Sequence, residues 1–165
     1  MGDTHYIESS TDAGRLRWSA PAREGQVKIS CDAAVDLNRG CGFGVVLRDV
    51  EWSVIGCKYG FCDEAFTAIE AEARAVLEGL RLCREHGILY AIFETDNQSL
   101  YWLLMKQEKN SSYLGNYISQ IDALRASIPQ LAFSWTPREG NANADSIAKF
   151  ALCNSLHFLF ARAFP

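Results

Sequence analysis

The sequence has no positive charge to spare, no long apolar run, no paired cysteine motif and few histidines. Sixteen Lys and Arg stand against twenty Asp and Glu, giving a formal net charge of −4. No broad basic field advertises a polyanion partner, so any nucleic-acid binding must be local. No stretch approaches the length needed to span a bilayer, and the opening "MGDTHYIESSTDAGR" lacks an apolar core like that of a secretory leader. It begins Met-Gly, but residue six is Tyr6 rather than Ser or Thr, which speaks against myristoylation. The six cysteines, at 31, 41, 57, 62, 83 and 153, form no Cys-x-x-Cys pair and sit mostly in apolar runs. They read as reduced thiols, and the expected location is intracellular, in nucleus or cytoplasm. The three histidines, at 5, 86 and 157, are scattered. With no Gly-x-Ser-x-Gly, phosphate loop or His-Glu-x-x-His either, nucleophile-elbow, nucleotide-cradling and zinc-peptidase chemistries find no support.

What is present is enough apolar material for a core: 48% of 165 residues, one domain's worth. Residues 1–25 are small, polar and charged and are expected to be a flexible lead-in, followed by a domain over 26–155 and a tail over 156–165. "VKISCD" alternates with period two, and "CGFGVVLRD" and "WSVIGCKYGF" follow after short turns. These predict a three-strand antiparallel meander. A helix from about Phe66 to Glu85 stops at Gly87, and "ILYAIFETD" then reads as a buried strand, so a parallel crossover follows. "NQSLYWLLMKQ" and "YLGNYISQIDALRAS" are amphipathic helices, "LAFSWTP" a fifth strand, and "NANADSIAKFALCNSL" a last helix. The expected fold is α/β, a five-stranded mixed sheet in the order βββαβααβα flanked by helices, with no repeat and no second domain.

The first helix carries Glu70 and Glu72, which point about 200° apart. Glu70 lines up with Arg74, Glu78, Arg81 and Glu85, an alternating-sign stripe expected to face solvent. Glu72 falls among Ala68, Ile69, Val76, Gly79, Leu80 and Cys83, where no basic residue shares the arc. A carboxylate there either reaches water at the edge of the arc or needs a cation. Three further acids lie at element ends. Asp32 ends the first strand, Asp96 ends the fourth strand and suits a helix cap, and Asp145 suits the first turn of the last helix. In α/β sheets sites gather at the carboxyl ends of strands, so Asp32, Asp96 and Glu72 are placed to converge. Four acids in one pocket repel one another unless cations intervene. Two divalent ions about 4 Å apart would offset that repulsion, and carboxylate ligation suits Mg²⁺ or Mn²⁺.

The segments "KISCDAA", "GFGVVLRD", "EAEARAVLEGL", "ETDNQSL" and "WTPREGNANADSIAKFA" occur in that order. Together they resemble the ribonuclease H type 1 domain, in the plant branch derived from non-LTR retrotransposon reverse transcriptases, over about residues 18 to 152. The resemblance implies a ribonuclease H-like fold and two Mg²⁺ ions held by Asp32, Glu72, Asp96 and Asp145 as catalytic ligands. It implies hydrolysis of the RNA strand of an RNA/DNA hybrid, recognised without regard to sequence by a monomer. Asn141 matches the Asn of the family's Asn-x-x-x-Asp pattern. Asn97, Arg138 and Lys149 are candidate substrate contacts. Two features depart from the family. The loop "WTPREGNANAD" lacks the usual proton-shuttling histidine, with Glu139 a candidate stand-in, and "MKQEKNSSYLGN" carries only Lys106 and Lys109 where a basic handle is expected. The alternative implied function is therefore a domesticated nucleic-acid-binding or protein-interaction module that cuts weakly or not at all.

Overall fold

The computed structural model describes residues 24–64, 66–106 and 112–161. The elements run β1 (Val27–Asp36), β2 (Gly40–Arg48), β3 (Val54–Cys62), α1 (Ala68–Glu85), β4 (Tyr90–Thr95), α2 (Gln98–Lys106), α3 (Tyr113–Arg125), β5 (Gln130–Trp135), a 3₁₀ turn (Arg138–Asn141), α4 (Ala142–Asn154) and β6 (Phe158–Ala161). Residues 1–23 of the expected lead-in over 1–25, and the handle residues 107–111, Lys109 included, lie outside the described residues. Among the described residues no helix is long and apolar enough to cross a membrane.

The six strands form one mixed sheet in the order β5-β4-β1-β2-β3-β6. β1, β2 and β3 pair antiparallel as the meander predicts, and β4 pairs parallel with both β1 and β5. Thus the α/β reading holds, with six strands instead of five. The added strand, β6, lies in the stretch read as a tail and pairs antiparallel with β3. "FLFA" has no polar alternation, so the period-two signal that reveals half-buried strands is missing.

Asp36 makes a local turn, its Oδ1 accepting from the Asn38 and Arg39 amides at 2.8 and 3.1 Å. β1, however, does not stop at Asp32. Residues 33–36 stay paired with β2 up to Asp36↔Gly40, so Asp32 lies mid-strand. What ends near Asp32 is the parallel ladder with β4, whose last pair is Ser30↔Glu94.

One face of the sheet packs Ile29, Cys31, Val45 and Phe93 against α1, with α2 and α3 completing that core through Leu100, Leu104, Ile118 and Ile121. α4 covers the other face. There β2 presents Gly42 and Gly44. A Cβ at Gly44 would stand 2.5 Å from the Ala144 carbonyl oxygen, and one at Gly42 would meet the Ala148 carbonyl. Only glycine lets the α4 backbone approach the strand so closely.

Candidate active site

Helix α1 opens on a capping box: Thr67 accepts from the Glu70 amide, and the Glu70 carboxylate accepts from the Thr67 amide at 2.9 Å. Glu70 is thereby occupied in starting the helix. Two residues on, Glu72 points into the protein and is buried, as its phase on the helix predicts. Its Oε1 accepts from the Ala33 amide at 3.3 Å. Its Oε2 is buried and has no hydrogen-bond partner among the described residues.

Asp32 is buried beside it, with Oδ1 accepting from the Ala33 amide at 2.8 Å. Asp96 completes the group. One carboxylate oxygen from each of Asp32, Glu72 and Asp96 lies within 4.8 Å of the others. Asp96 was a candidate helix cap, but the cap is Asn97, whose Oδ1 accepts from the Leu100 amide at 3.0 Å. The chain has two adjacent cap-competent residues and uses the second, leaving the Asp96 carboxylate for the cluster. Asn97, expected to contact substrate, has its side-chain oxygen engaged in that cap.

Crowding changes the protonation of these groups. Burial first, then the adjoining Asp32 carboxyl and the charge of Asp96, pushes Glu72 up to about 10. Asp32 is also raised, by burial and by Asp96 and Asp145. At neutral pH Glu72 therefore holds a proton that a bound cation would displace. The neighbouring Cys31 thiol is pushed well up, chiefly by burial, and donates to the Glu94 carbonyl, so it stays a thiol outside the ligand set. The donors are three carboxylates, one with an orphaned buried oxygen, and such a hard oxygen set fits Mg²⁺ or Mn²⁺ better than zinc.

Asp145 is not part of that three-acid group. It sits in the first turn of α4, where Lys149 one turn later holds its Oδ2 at 2.7 Å. Asp32 nevertheless feels its charge. Asn141 is 1% exposed, and its Nδ2 donates to the Cys31 carbonyl at 2.7 Å, tying the start of α4 to β1 next to Asp32. Arg138 points to solvent with its side chain 86% exposed, and its Nε lies 3.5 Å from Asp96 Oδ2. Sequence reasoning did not single out Trp135, whose indole Nε1 donates to the Asp96 carbonyl at 3.2 Å. Its signal was a tryptophan at the end of a strand beside the site.

A family model described as reverse transcriptase-like matches residues 30–151, which span every one of these groups. The chain belongs to the reverse transcriptase-like family. No curated protein matches it in sequence. Among solved structures it is similar to the N-terminal RNase H domain of a Mycobacterium tuberculosis protein. There the identity is 24% and the TM-score 0.72, over 79% of this chain and 95% of that one. It is similar also to RNase H1 from the halophilic archaeon Halobacterium salinarum (21%, TM-score 0.72, 78% and 98%). A third is LC11-RNase H1 in complex with an RNA/DNA hybrid (21%, TM-score 0.70, 78% and 97%). At these identities the likeness shows the fold, and the fold of this reverse transcriptase-like chain is that of ribonuclease H. The same sheet that sets Asp32 beside β4 therefore belongs to a scaffold shared across bacterial and archaeal proteins.

Proposed function

We propose that the chain is a metal-dependent endoribonuclease that hydrolyses the RNA strand of RNA/DNA hybrids. The observation that carries this reading is the cluster of Asp32, Glu72 and Asp96, with no cation paired to the buried Glu72 among the described residues, in a reverse transcriptase-like chain. Asp32, Glu72 and Asp96 would hold Mg²⁺, with Asp145 the fourth ligand once Lys149 releases it. Two bound ions would supply an activated water and a stabilised leaving oxygen, yielding a 3′-hydroxyl and a 5′-phosphate.

The chain's own residues supply position and charge. Asn141 fixes α4 against β1 and so sets Asp145 relative to Asp32. Arg138 and Lys149, both exposed, are free to turn to phosphates of the hybrid, and their contacts would carry no sequence information. Asn97, whose Oδ1 caps α2, would offer its single side-chain amide nitrogen to the hybrid. A retroelement origin in the plant branch belongs to the same reading, supported by the five motifs and the reverse transcriptase-like match.

A labelled hybrid incubated with the protein and Mg²⁺ should be cut in its RNA strand, and Asp32→Asn should abolish cutting. If the protein and the variant are equally inert, the enzymatic reading fails. One observation favours a second reading, a module that binds hybrid without cutting. Asp145 is paired with Lys149, and the loop before α4 offers only exposed Glu139 where the family has histidine. That reading predicts retention of hybrid in a gel shift with no product.

A further inference from the structure

On the far side of α1 from the acidic cluster, a groove of about 230 Å³ opens between α1 and α3. Arg74, Leu77, Glu78, Arg81, Tyr117 and Gln120 line it. It is smaller than the cavities that enclose drug-sized ligands, about 300 Å³ and upward, so it fits a group rather than a whole nucleotide.

Its polar atoms are mostly donors. The one carboxylate in the lining, Glu78, is already engaged. Oε2 accepts from Lys58 at 2.6 Å and Oε1 from Arg81 at 2.7 Å. Arg81 spends its other terminal nitrogen on Gln120 at 3.1 Å. Arg74 is different. Its guanidinium lies 5.9 and 5.7 Å from the ring centres of Phe43 and Phe66, which fix its plane. Its Nε is buried, with no hydrogen-bond partner among the described residues. Arg74 and Arg81 thus line the groove with a single carboxylate, Glu78, which Lys58 also pairs, and with Glu64 exposed on the Tyr117 side the lining keeps an excess of positive charge. A buried guanidinium nitrogen left unpartnered is costly, and a held, aromatic-flanked arginine loses little freedom on binding an oxyanion.

We infer that this groove is an anion site that takes a phosphate group between Arg74 and Arg81. The inference goes beyond hybrid cleavage and does not depend on it. The source of the phosphate is either the backbone of a bound nucleic acid or a free phosphate.

The test uses the full chain in EDTA, with inorganic phosphate as probe, titrated at constant ionic strength against chloride and followed by ³¹P NMR. Binding should be saturable. Arg74→Gln should raise the Kd at least about tenfold and Arg81→Gln about fivefold, losses of the size expected for charge-assisted contacts. Arg138→Gln and Lys149→Gln, at the acidic cluster, should leave it unchanged. If Arg74→Gln does not fold by circular dichroism, Arg74→Lys, which keeps the charge and loses the guanidinium fork, replaces it with the same direction of effect. No saturable binding, or binding lost with Arg138 or Lys149 instead, overturns the inference. A second arm separates the sources. If the groove holds a backbone phosphate, Arg81→Gln should lower the slope of log K against log salt for an uncut RNA/DNA hybrid by about 1. If that slope is unchanged while inorganic phosphate is lost in the same variant, the ligand is a free phosphate.

Discussion

Helix α1 buries two glutamates, six residues apart, and treats them in opposite ways. Glu78 meets Lys58 and Arg81, and those partners outweigh its burial and hold its carboxyl below the usual range. Glu72 meets other carboxylates, and burial pushes it up to about 10. Burial is shared, so the difference lies in the partners. A buried acid with a cation from its own chain is part of the frame, whereas one whose neighbours are acids is a position that an external cation can complete.

The strongest way to break this contrast is to remove the acid from each side. Glu72→Gln should reduce hybrid hydrolysis at least about a hundredfold, a loss of roughly 3 kcal/mol in transition-state stabilisation. Its Mg²⁺ heat in calorimetry should vanish, while Glu78→Gln should keep both. For stability the order reverses. Glu78→Gln strips Lys58 and Arg81 of their partner and should cost roughly 1–3 kcal/mol in urea melts, moderated because Arg81 is partly exposed.

Acidity gives the two glutamates opposite slopes. The Glu72 carboxyl is raised in the folded protein, so the stability tied to it is fully present below about 4.5 and is lost as pH rises toward 10. In EDTA at pH 8, Glu72→Gln should therefore stabilise the protein by roughly 1–2 kcal/mol, and Mg²⁺ should stabilise only the parent. Glu78 is lowered, so its contribution is present above about 4.5 and fades as pH falls further. Melting each variant from pH 4 to 9 would measure both slopes, and parallel slopes would refute the contrast. The smallest effect belongs to Glu70→Gln. An amide retains part of the capping box, so stability should change by about 0.5 kcal/mol or less, with activity unaltered.

How far these differences were legible in the sequence depended on whether a local period carried them. Glu72 was separable from Glu70 by helical phase alone, and the capping box of Glu70 with Thr67 agrees with that division. The meander, the crossover and the four helices were legible for the same reason. The charged stripe was not. Arg74, Glu78 and Arg81 were expected to face solvent, but α3 packs over that side of α1, bringing Tyr117 and Gln120 against it. A contact some forty residues distant leaves no mark on the helix's own pattern. β6 escaped for a related cause, since its pairing with β3 is nonlocal and its residues do not alternate. Asp96 and Asn97 were both able to cap α2, and only the turn of the chain after Thr95 decided between them.

The glycines beneath α4 carry a consequence for how sequence change is tolerated around the site. Gly42 and Gly44 hold no functional group, although Gly44 pairs with Asp32 across the sheet, and a Cβ on either would meet the α4 backbone directly. A methyl at position 44 has no flexible side chain to displace, only the helix that bears Asp145. Substitution there lifts α4 as a lever lifts its load, carrying Asp145 away from Asp32 while the sheet and the other three acids stay in place. Two positions with no chemistry of their own thus set the clearance of the whole site, and a mutational scan would find them as intolerant as the acids.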